Sequence, residues 1–509
     1  MRPVLAGAEL PRQARRSRPP RQERPPLLAQ HLIGGMWTPS SSGATFADLD
    51  PWDGTVVASV AAGGLDETRA AVDAAQAAFP DWSAAPPAER QGVLLRAADI
   101  MAGRRAEVLG LLARETGAGA YFAGLQVDFA VAMLRQTAAL PYASYAELMP
   151  SDAAGTRSMA LRRPVGVVGA IAPWNAPLIL SGRAVVAPLA LGNTVVLKPS
   201  EESPVTGGVI WGEVLQQAGL PAGALNVVTH APGEAGVIGG ELIANPAVRR
   251  LSFTGSTSIG RRLAEAAGTH LKRLVLQVSG HNPLLVLAGV DLDYAVEAAA
   301  YGAFVHQGEV CMCVRRIIVE RSISAAFVQA LVRKVSTLPV GDPSDPATVI
   351  GPLINEWAVA LIARRVDEAV ALGARVLVGG TAAPPCYPAT VLTNVPPEAE
   401  LAFDETFGPV VIVDVVDDAR HAVALANASC FGLAAGVLAG TLEHGLEIAL
   451  QLRAGIVHVN DQPVNDEPQM PFGGMKDSGW GRFGVASAIE EFCELQWVSA
   501  RSGRRTFPF

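Results

Sequence analysis

The feature that most restricts the fold is an alternation of short, β-branched runs with helical segments. The runs VGVVGAIA (165–172), TVVLK (194–198), LNVVT (225–229) and RLSFT (250–254) are separated by segments such as VTGGVIWGEVLQQAG. Strands and helices that alternate in this way form a parallel, doubly wound sheet. Ligands of such sheets bind at the carboxyl ends of the strands. The sequence therefore predicts an α/β protein whose site lies where these strands end.

Helices precede these strands, and a second alternating region follows them. From Asp66, DETRAAVDAAQAAF and PAERQGVLLRAADIMAGRRAEVLGLLARETG have the acidic first turns and apolar spacing of amphipathic helices. Between about 284 and 460, LLVL, RIIVE, ARVLVGG and FGPVVIVDVV alternate with helical runs. The final EEFCELQWVSARS predicts a helix that runs into a strand. A chain of 509 residues exceeds one ordinary core, so we expect two large lobes.

Three of the predicted strand ends carry unusual loops. In PWNAP, after the first strand, two prolines fix the backbone around Asn175. After the second, Lys198 and Glu201 place a cation and a carboxylate where a dinucleotide's ribose would lie, and the carboxylate favours NAD over NADP. After the fourth, FTGSTSIG (253–260) opens a helix whose amides suit a pyrophosphate. No GxGxxG fingerprint is present and each loop alone is an ordinary turn, but the three together predict a dinucleotide site.

A cysteine is the candidate nucleophile. The segment HQGEVCMCVRR (306–316) sets Cys311 after a glycine, between Val310 and Met312, with a second thiol at Cys313. A lone cysteine is more often buried than reactive, so the segment is weak evidence by itself. Positive charge lowers the pKa of a thiol and favours the reactive thiolate. Three groups in the segment are candidates for that charge: Arg315, Arg316 and His306.

Composition narrows the class of protein. The net charge of -8 gives no support for nucleic-acid binding, and no apolar run approaches the 18 or so residues of a membrane span. The five cysteines lack zinc-type spacing and fit reduced thiols. We therefore expect a cytoplasmic enzyme with no nucleic-acid or membrane partner.

Six segments, in this order and spacing, resemble the NAD(P)-dependent aldehyde dehydrogenase superfamily: PWNAP, KPSEESP, FTGSTSIG, HQGEVC, ETFGPV and PFGGMKDSG. The similarity runs from about residue 31 to the C-terminus. Within the superfamily, HQGEVCMC with RRIIVE, and HVNDQPVNDEPQMPFGG, look most like the benzaldehyde, vanillin and salicylaldehyde dehydrogenases. The resemblance implies the aldehyde dehydrogenase fold, with a Rossmann-like NAD-binding domain, an α/β catalytic domain and a β-arm for assembly into a homodimer or homotetramer.

Domain boundaries follow from this resemblance and from composition. The first residues are rich in arginine and proline, with little apolar content to bury, and lack a secretory apolar core. We predict a disordered extension at 1–30, an NAD-binding domain at 31–146 and 164–276, a catalytic domain at 277–476 and an oligomerisation arm at 147–163 and 485–509.

The resemblance also implies roles for the matched positions. Cys311 would attack the aldehyde, and the Asn175 amide with the Cys311 backbone N–H would hold the oxyanion of the thiohemiacetal. Loss of hydride to NAD would leave an acyl thioester. The residues expected to contact NAD are Ala172, Pro173, Trp174, Lys198, Ser200, Glu201, Gly255, Ser256, Glu405 and Phe407. The residues expected to line a pocket for a flat aromatic aldehyde are Arg183, Val310 and Met312, although an arginine in such a place is more often a packing residue.

One matched catalytic position departs from the family. The family's general base is the glutamate of an ELGG segment, and here the segment reads Gln277-Val278-Ser279-Gly280, 34 residues before Cys311. Glutamine cannot accept a proton, so hydrolysis of the thioester is expected to be impaired or rerouted. A second glutamate found in some members is Phe483 here. The candidates for a replacement base are Glu309, His306 and His281.

Three functions stay open on the sequence alone. The first is NAD-dependent oxidation of an aromatic aldehyde to the acid. The second keeps the same first half-reaction and transfers the acyl group to a thiol such as coenzyme A. The third is a catalytically weak binding or structural relative, against which the intact Cys311 and Asn175 argue.

Overall fold

The computed structural model describes residues 25–143 and 146–509. Most of the predicted extension, residues 1–24, lies outside this range. The boundary at residue 30 is too late, because Leu27–Ala29 is a strand that pairs in parallel with Val56–Ala61. A parallel partner and a buried Ala29 fix this short segment.

The strands of the described residues are β1 Leu27–Ala29, β2 His31–Ile33, β3 Met36–Thr38, β4 Thr45–Leu49, β5 Val56–Ala61, β6 Ala146–Met149, β7 Thr156–Pro164, β8 Val167–Ile171, β9 Thr194–Lys198, β10 Leu225–Val227, β11 Val248–Thr254, β12 Arg273–Gln277, β13 Asn282–Val286, β14 Val314–Glu320, β15 Arg375–Val378, β16 Thr390–Thr393, β17 Val410–Val416, β18 Phe431–Gly432, β19 Ala434–Leu438, β20 Ile456–Val459, β21 Met475–Lys476, β22 Gly479–Trp480 and β23 Cys493–Arg501.

The α-helices of the same residues are α1 Leu65–Ala84, α2 Pro87–Gly103, α3 Arg105–Thr116, α4 Ala120–Thr137, α5 Pro177–Ala190, α6 Ile210–Gln217, α7 Ala235–Ala244, α8 Thr257–Thr269, α9 Leu292–Phe304, α10 Arg321–Val335, α11 Glu356–Leu372, α12 Glu400–Phe403, α13 Ala419–Asn427, α14 Leu442–Ala449 and α15 Val485–Phe492. None of these helices has both the length and the apolar content needed to cross a bilayer.

The first large sheet has eight strands in the order β22-β12-β11-β8-β9-β10-β2-β3. Its five central strands, β12 to β10 in that order, are parallel, as the alternating sequence pattern predicts. Both faces are buried: Val195 and Leu197 of β9 enter one hydrophobic core, and Val196 between them enters another. This is why the strands appear in the sequence as continuous apolar runs.

The second large sheet has seven strands in the order β15-β16-β17-β14-β13-β19-β20. Ile317 and Val319 of β14 face a different core from Ile318. Only its edge strand β15 runs antiparallel to its neighbour. The α/β fold class is therefore confirmed in both halves of the chain.

A third, smaller sheet consists of β6, β7 and β23. β7 pairs with β23 along nine residues, Thr156–Pro164 against Cys493–Arg501. Leu148, Leu495 and Trp497 on these strands are exposed. The predicted passage from a helix into a C-terminal strand is confirmed, because α15 ends at Phe492 and β23 begins at Cys493.

Candidate active site

A cavity of about 1000 Å³ brings together residues that lie far apart in the sequence. Asn175 comes from the loop between β8 and α5, Arg183 from α5, and Cys311 from the turn before β14. Val310 and Met312 line the same cavity on either side of the thiol. The predicted nucleophile, oxyanion donor and substrate-pocket residues therefore share one space.

The turn that presents Cys311 has an unusual backbone. His306, Gln307 and Gly308 all have positive φ angles, of 49°, 41° and 74°. A side chain at Gly308 would collide with the Gly408 carbonyl, so this position requires glycine. The Gln307 amide holds the turn by donating to the carbonyl of Pro352 at 3.0 Å. Such a conformation persists only where its surroundings enforce it.

The cations beside Cys311 in the sequence are engaged elsewhere. The Arg315 guanidinium donates to three backbone carbonyls around the turn, including that of Gly408 at 2.8 Å. Arg316 forms an ion pair with Asp414 at 2.6 Å. Burial lowers the pKa of His306 to about 4, so its ring is neutral. None of these three candidates therefore offers a free positive charge to the thiol, because the two arginines bind other groups and the histidine is neutral.

Burial instead controls the Cys311 thiol. It raises the pKa of Cys311 to about 12, and the negative charge of Glu405 acts in the same direction. Arg183 and a hydrogen bond with Gln277 oppose the rise in pKa. The resting cysteine is therefore a protonated thiol at neutral pH.

Alkylation of Cys311 by iodoacetamide is expected to be slow at neutral pH. Its rate should rise about tenfold per pH unit from about pH 7 to about pH 10 without levelling, because only the thiolate reacts and the pKa is far above this range. Peptide mass spectrometry measures the rate, with the exposed Cys430 as reference for access. A plateau below about pH 9 would contradict the raised pKa of the Cys311 thiol.

Gln277 ends β12 beside the thiol and is 2% exposed. Its Nε2 donates to the Val278 carbonyl at 3.4 Å. Its Oε1 is buried and has no hydrogen-bond partner among the described residues. An amide oxygen in this place can orient a water molecule, but it cannot take the proton from it.

The three predicted replacement bases all lie outside the lining of this cavity. The Glu309 carboxylate accepts the amide of Ile354 at 3.1 Å, and burial raises its pKa well above its usual range. His306 stacks on Phe122 with ring centroids 4.4 Å apart. Burial lowers the pKa of His281 to about 4. None of these three takes the place of the glutamate that the resemblance leads one to expect.

An ion pair that the sequence analysis missed lies in the wall of the cavity. Arg183 donates to Asp466 at 2.5 Å, with side chains 5% and 14% exposed. The guanidinium lies 3.9 Å from the ring centroid of Phe472, and backbone hydrogen bonds tie Phe472 to Phe483. Asp466 falls in the irregular segment 458–484, where no periodic pattern distinguishes one polar residue from another.

The residues expected around the nicotinamide lie close to one another. The rings of Trp174 and Phe407 meet edge to face at 5.6 Å. A Glu405 carboxylate oxygen accepts the amide of Gly280 at 3.0 Å, next to the Gln277 segment. Burial raises the pKa of this carboxyl.

The other predicted cofactor residues follow the carboxyl ends of β8, β9 and β11. The amide of Ala172, followed by Pro173, donates to the Lys198 carbonyl at 3.1 Å, which joins two strand ends. Ser256 caps α8 by accepting the amide of Ile259 at 3.4 Å. At Gly255 a Cβ would lie 2.5 Å from the Phe253 ring, so the loop passes very close to the strand that precedes it.

The end of β9 contacts a second residue that the sequence analysis missed, His230. The Ser200 hydroxyl donates to Glu201 at 3.3 Å, and Lys198 donates to Nε2 of His230 at 2.6 Å. His230 follows β10, and a single histidine after a strand gives no pattern. Only the pairing of β9 with β10 brings it to Lys198.

Fold and site together define a class: a two-sheet α/β oxidoreductase in which a cysteine shares a cavity with an amide donor, beside a dinucleotide-type sheet. Residues 37–498 match the model of the aldehyde dehydrogenase family, and the chain belongs to that family. It is therefore an oxidoreductase that acts on aldehydes.

The chain is similar over nearly its whole length to dehydrogenases of aromatic aldehydes. A vanillin dehydrogenase of Pseudomonas sp. strain HR199 is 47% identical over 477 residues, covering 94% of this chain and 98% of that protein. The benzaldehyde dehydrogenase [NAD(+)] of Pseudomonas putida is 40% identical over 489 residues, covering 95% and 99%. The crystal structure of a salicylaldehyde dehydrogenase from Pseudomonas putida G7 complexed with salicylaldehyde superposes with a TM-score of 0.93 at 36% identity, covering 95% of this chain and 100% of that one.

Proposed function

We propose that this protein oxidises an aromatic aldehyde to the carboxylic acid with NAD, and that hydrolysis of its acyl thioester is slow. The observation that carries the proposal is the cavity that Cys311 and Asn175 line together with several aromatic rings and the Arg183–Asp466 pair. The names of the similar proteins, which act on vanillin, benzaldehyde and salicylaldehyde, support the aromatic class.

The residues at the strand ends fit a dinucleotide. Lys198 and Glu201 offer a donor and an acceptor to the adenosine ribose, and the amides that begin α8 offer donors to a pyrophosphate. Trp174, Glu405 and Phe407 form the opposite end, close to the cavity. When bound, NAD accepts the hydride released from the aldehyde carbon.

Side chains of the protein carry out the nucleophilic attack, bind the oxyanion and orient the attacking water. Water takes the proton of the Cys311 thiol, Sγ attacks the aldehyde carbon, and the Asn175 side-chain amide, which is 4% exposed in the same cavity, holds the oxyanion that forms. After hydride loss the acyl group stays on Cys311. The unpartnered Oε1 of Gln277 accepts a hydrogen bond from the attacking water but takes no proton, so deacylation limits turnover.

Arg183 and Asp466 place an ion pair beside the aromatic rings of Phe129 and Phe472 in the lining of the cavity. Arg183 lies over Phe472 and within 5.2 Å of the ring centroid of Phe129. A ring that stacks beside these groups can place a hydroxyl or similar oxygen against the guanidinium, which donates in a fixed direction. We infer a preference for oxygenated aromatic aldehydes.

Assembly into a homodimer or homotetramer is part of the same proposal. The sheet of β6, β7 and β23 exposes Leu148, Leu495 and Trp497. Leu495 and Trp497 lie on one face of this sheet and Leu148 on the other. Exposed apolar side chains of this kind are typical of an interface between subunits.

A panel of aldehydes tests the proposed function. With NAD, kcat/KM for vanillin and benzaldehyde is expected to exceed that for hexanal at least tenfold, on the order of the gain from filling an apolar pocket with a ring. Arg183→Leu should lose the preference for vanillin over benzaldehyde and keep activity on benzaldehyde. A higher value for hexanal than for either aromatic aldehyde refutes the aromatic assignment.

One observation favours a second candidate, acyl transfer to a thiol such as coenzyme A. It is the absence of a proton acceptor at Gln277, since a thiolate acceptor needs no base to activate water. Added coenzyme A is expected to leave the steady-state rate unchanged. A strong rise in turnover, with the acyl thioester of coenzyme A as product, would show that the acyl group is transferred to the thiol and not hydrolysed.

A further inference from the structure

Lys198 and His230 meet where two neighbouring parallel strands end. β9 ends at Lys198, and β10 pairs with it in a register that sets Leu197 opposite Val227. The chain beyond β10 then brings His230 beside the lysine. The Lys198 ammonium donates to Nε2 of His230 at 2.6 Å and to the Pro199 carbonyl at 3.1 Å.

The protonation state of His230 follows from its other contact. Nδ1 lies 3.0 Å from the carbonyl of Ala231, which can only accept, so Nδ1 carries the ring proton. Burial, followed by the charge of Lys198, lowers the pKa of His230 to about 4, so the ring is neutral at neutral pH. The imidazole is therefore a fixed acceptor for one N–H of Lys198.

Glu201 completes the group. Its Oε2 lies 3.7 Å from Nε2 of His230, and its side chain is 27% exposed, whereas the histidine side chain is fully buried. Within the described part of the chain, Lys198 uses two of its three N–H bonds, on His230 and on Pro199. The third is left for a ligand next to the Glu201 carboxylate.

We propose that His230 positions Lys198, beside Glu201, for the adenosine ribose and thereby makes the site select NAD over NADP. This inference rests on the proposed cofactor contacts of Lys198 and Glu201. Because His230 fixes one N–H, the free N–H has a defined direction, and the two ribose hydroxyls meet an oriented donor beside an oriented acceptor. Side chains that are already ordered before NAD binds lose less conformational entropy on binding than side chains that the ligand has to order.

The same group works against a 2′-phosphate. Such a phosphate binds tightly where a full positive charge faces it without competition. Here the ammonium points one N–H at the neutral imidazole, and the Glu201 carboxylate stands beside it. Release of Lys198 from His230 would leave its charge free to follow the phosphate.

Calorimetric titration of the cofactor-free protein with NAD and NADP tests the inference without any turnover. In His230→Ala, Kd for NAD is expected to rise about tenfold, on the order of one hydrogen bond to a charged group. Kd for NADP stays nearly constant, because attraction of the released Lys198 to the 2′-phosphate offsets the same loss. The preference for NAD therefore falls about tenfold. His230→Gln should recover most of it, because its amide oxygen accepts the same Lys198 N–H. His270→Ala, which removes an exposed histidine after α8, is the matched control.

Two variants separate failure of this inference from failure of the cofactor assignment. If Lys198→Ala binds NAD as well as the wild type does, the proposed ribose contacts are misplaced, and the inference falls with them. If Lys198→Ala weakens binding but His230→Ala does not, His230 does not position the lysine. An equal loss for both dinucleotides, with a lower unfolding temperature, makes His230 a structural residue and also overturns the inference.

Discussion

The Cys311→Ala variant will form no measurable NADH from an aromatic aldehyde, a loss of more than about 1000-fold, because nothing else in the cavity can form the covalent intermediate. Cys313→Ala will keep most of the activity. Cys313 is fully buried, and its Sγ–H donates to the Val305 carbonyl at 3.8 Å, so it belongs to the core. Its loss removes only packing, typically a modest cost in stability.

NADH formation monitored by absorbance, with unfolding temperatures measured in parallel, decides between the two thiols. Both variants should remain folded, since each removes a single sulfur atom. Activity that survives in Cys311→Ala and disappears in Cys313→Ala would reverse the assignment of the nucleophile.

Gln277→Glu is expected to raise steady-state turnover by about 100- to 10 000-fold, the usual contribution of a positioned base. The wild type should instead give a burst of one NADH per active site, followed by a slow steady state, because acylation outruns deacylation. Intact-mass spectrometry soon after mixing should show an acyl adduct on Cys311. A glutamate at this buried position would have a raised pKa, which suits a base that works near neutrality.

Gln277→Met is the matched control, since it has a similar size and no proton acceptor, and it should leave deacylation slow. Rapid mixing with benzaldehyde and NAD gives the decisive trace. A linear progress curve without a burst, at a rate that Gln277→Glu fails to improve, would mean that another group already serves as the base.

The sheet of the first half could be predicted from the sequence because its strands are buried on both faces. TVVLK is β9 to the residue, and VGVVGAIA contains all of β8. The helical run before these strands does not show its internal boundary in the sequence. It is two helices, α2 and α3, which break after Gly103, where the low helix propensity of glycine offers an ending that the apolar spacing does not reveal.

The site could be predicted only where a motif is contiguous. Cys311 and Asn175 are marked by their own neighbours in the sequence, and the structure places both in one cavity. Asp466 and His230 matter through partners 283 and 32 residues away, at distances that only the folded chain sets. Cations adjacent to Cys311 in the sequence say nothing about burial, which has the largest effect on the pKa of its thiol.

The negative charges around the thiol also affect the neutral substrate and the anionic product differently. Glu405 and Asp466 both act on the Cys311 thiol by disfavouring a second negative charge there. An aldehyde is neutral and enters this field without penalty, but the acid formed from it is an anion, which Glu405 and Asp466 repel and Arg183 attracts. The carboxylates that help to raise the pKa of the thiol thus also offset the attraction of Arg183 for the product, so the acid is held less tightly than Arg183 alone would hold it.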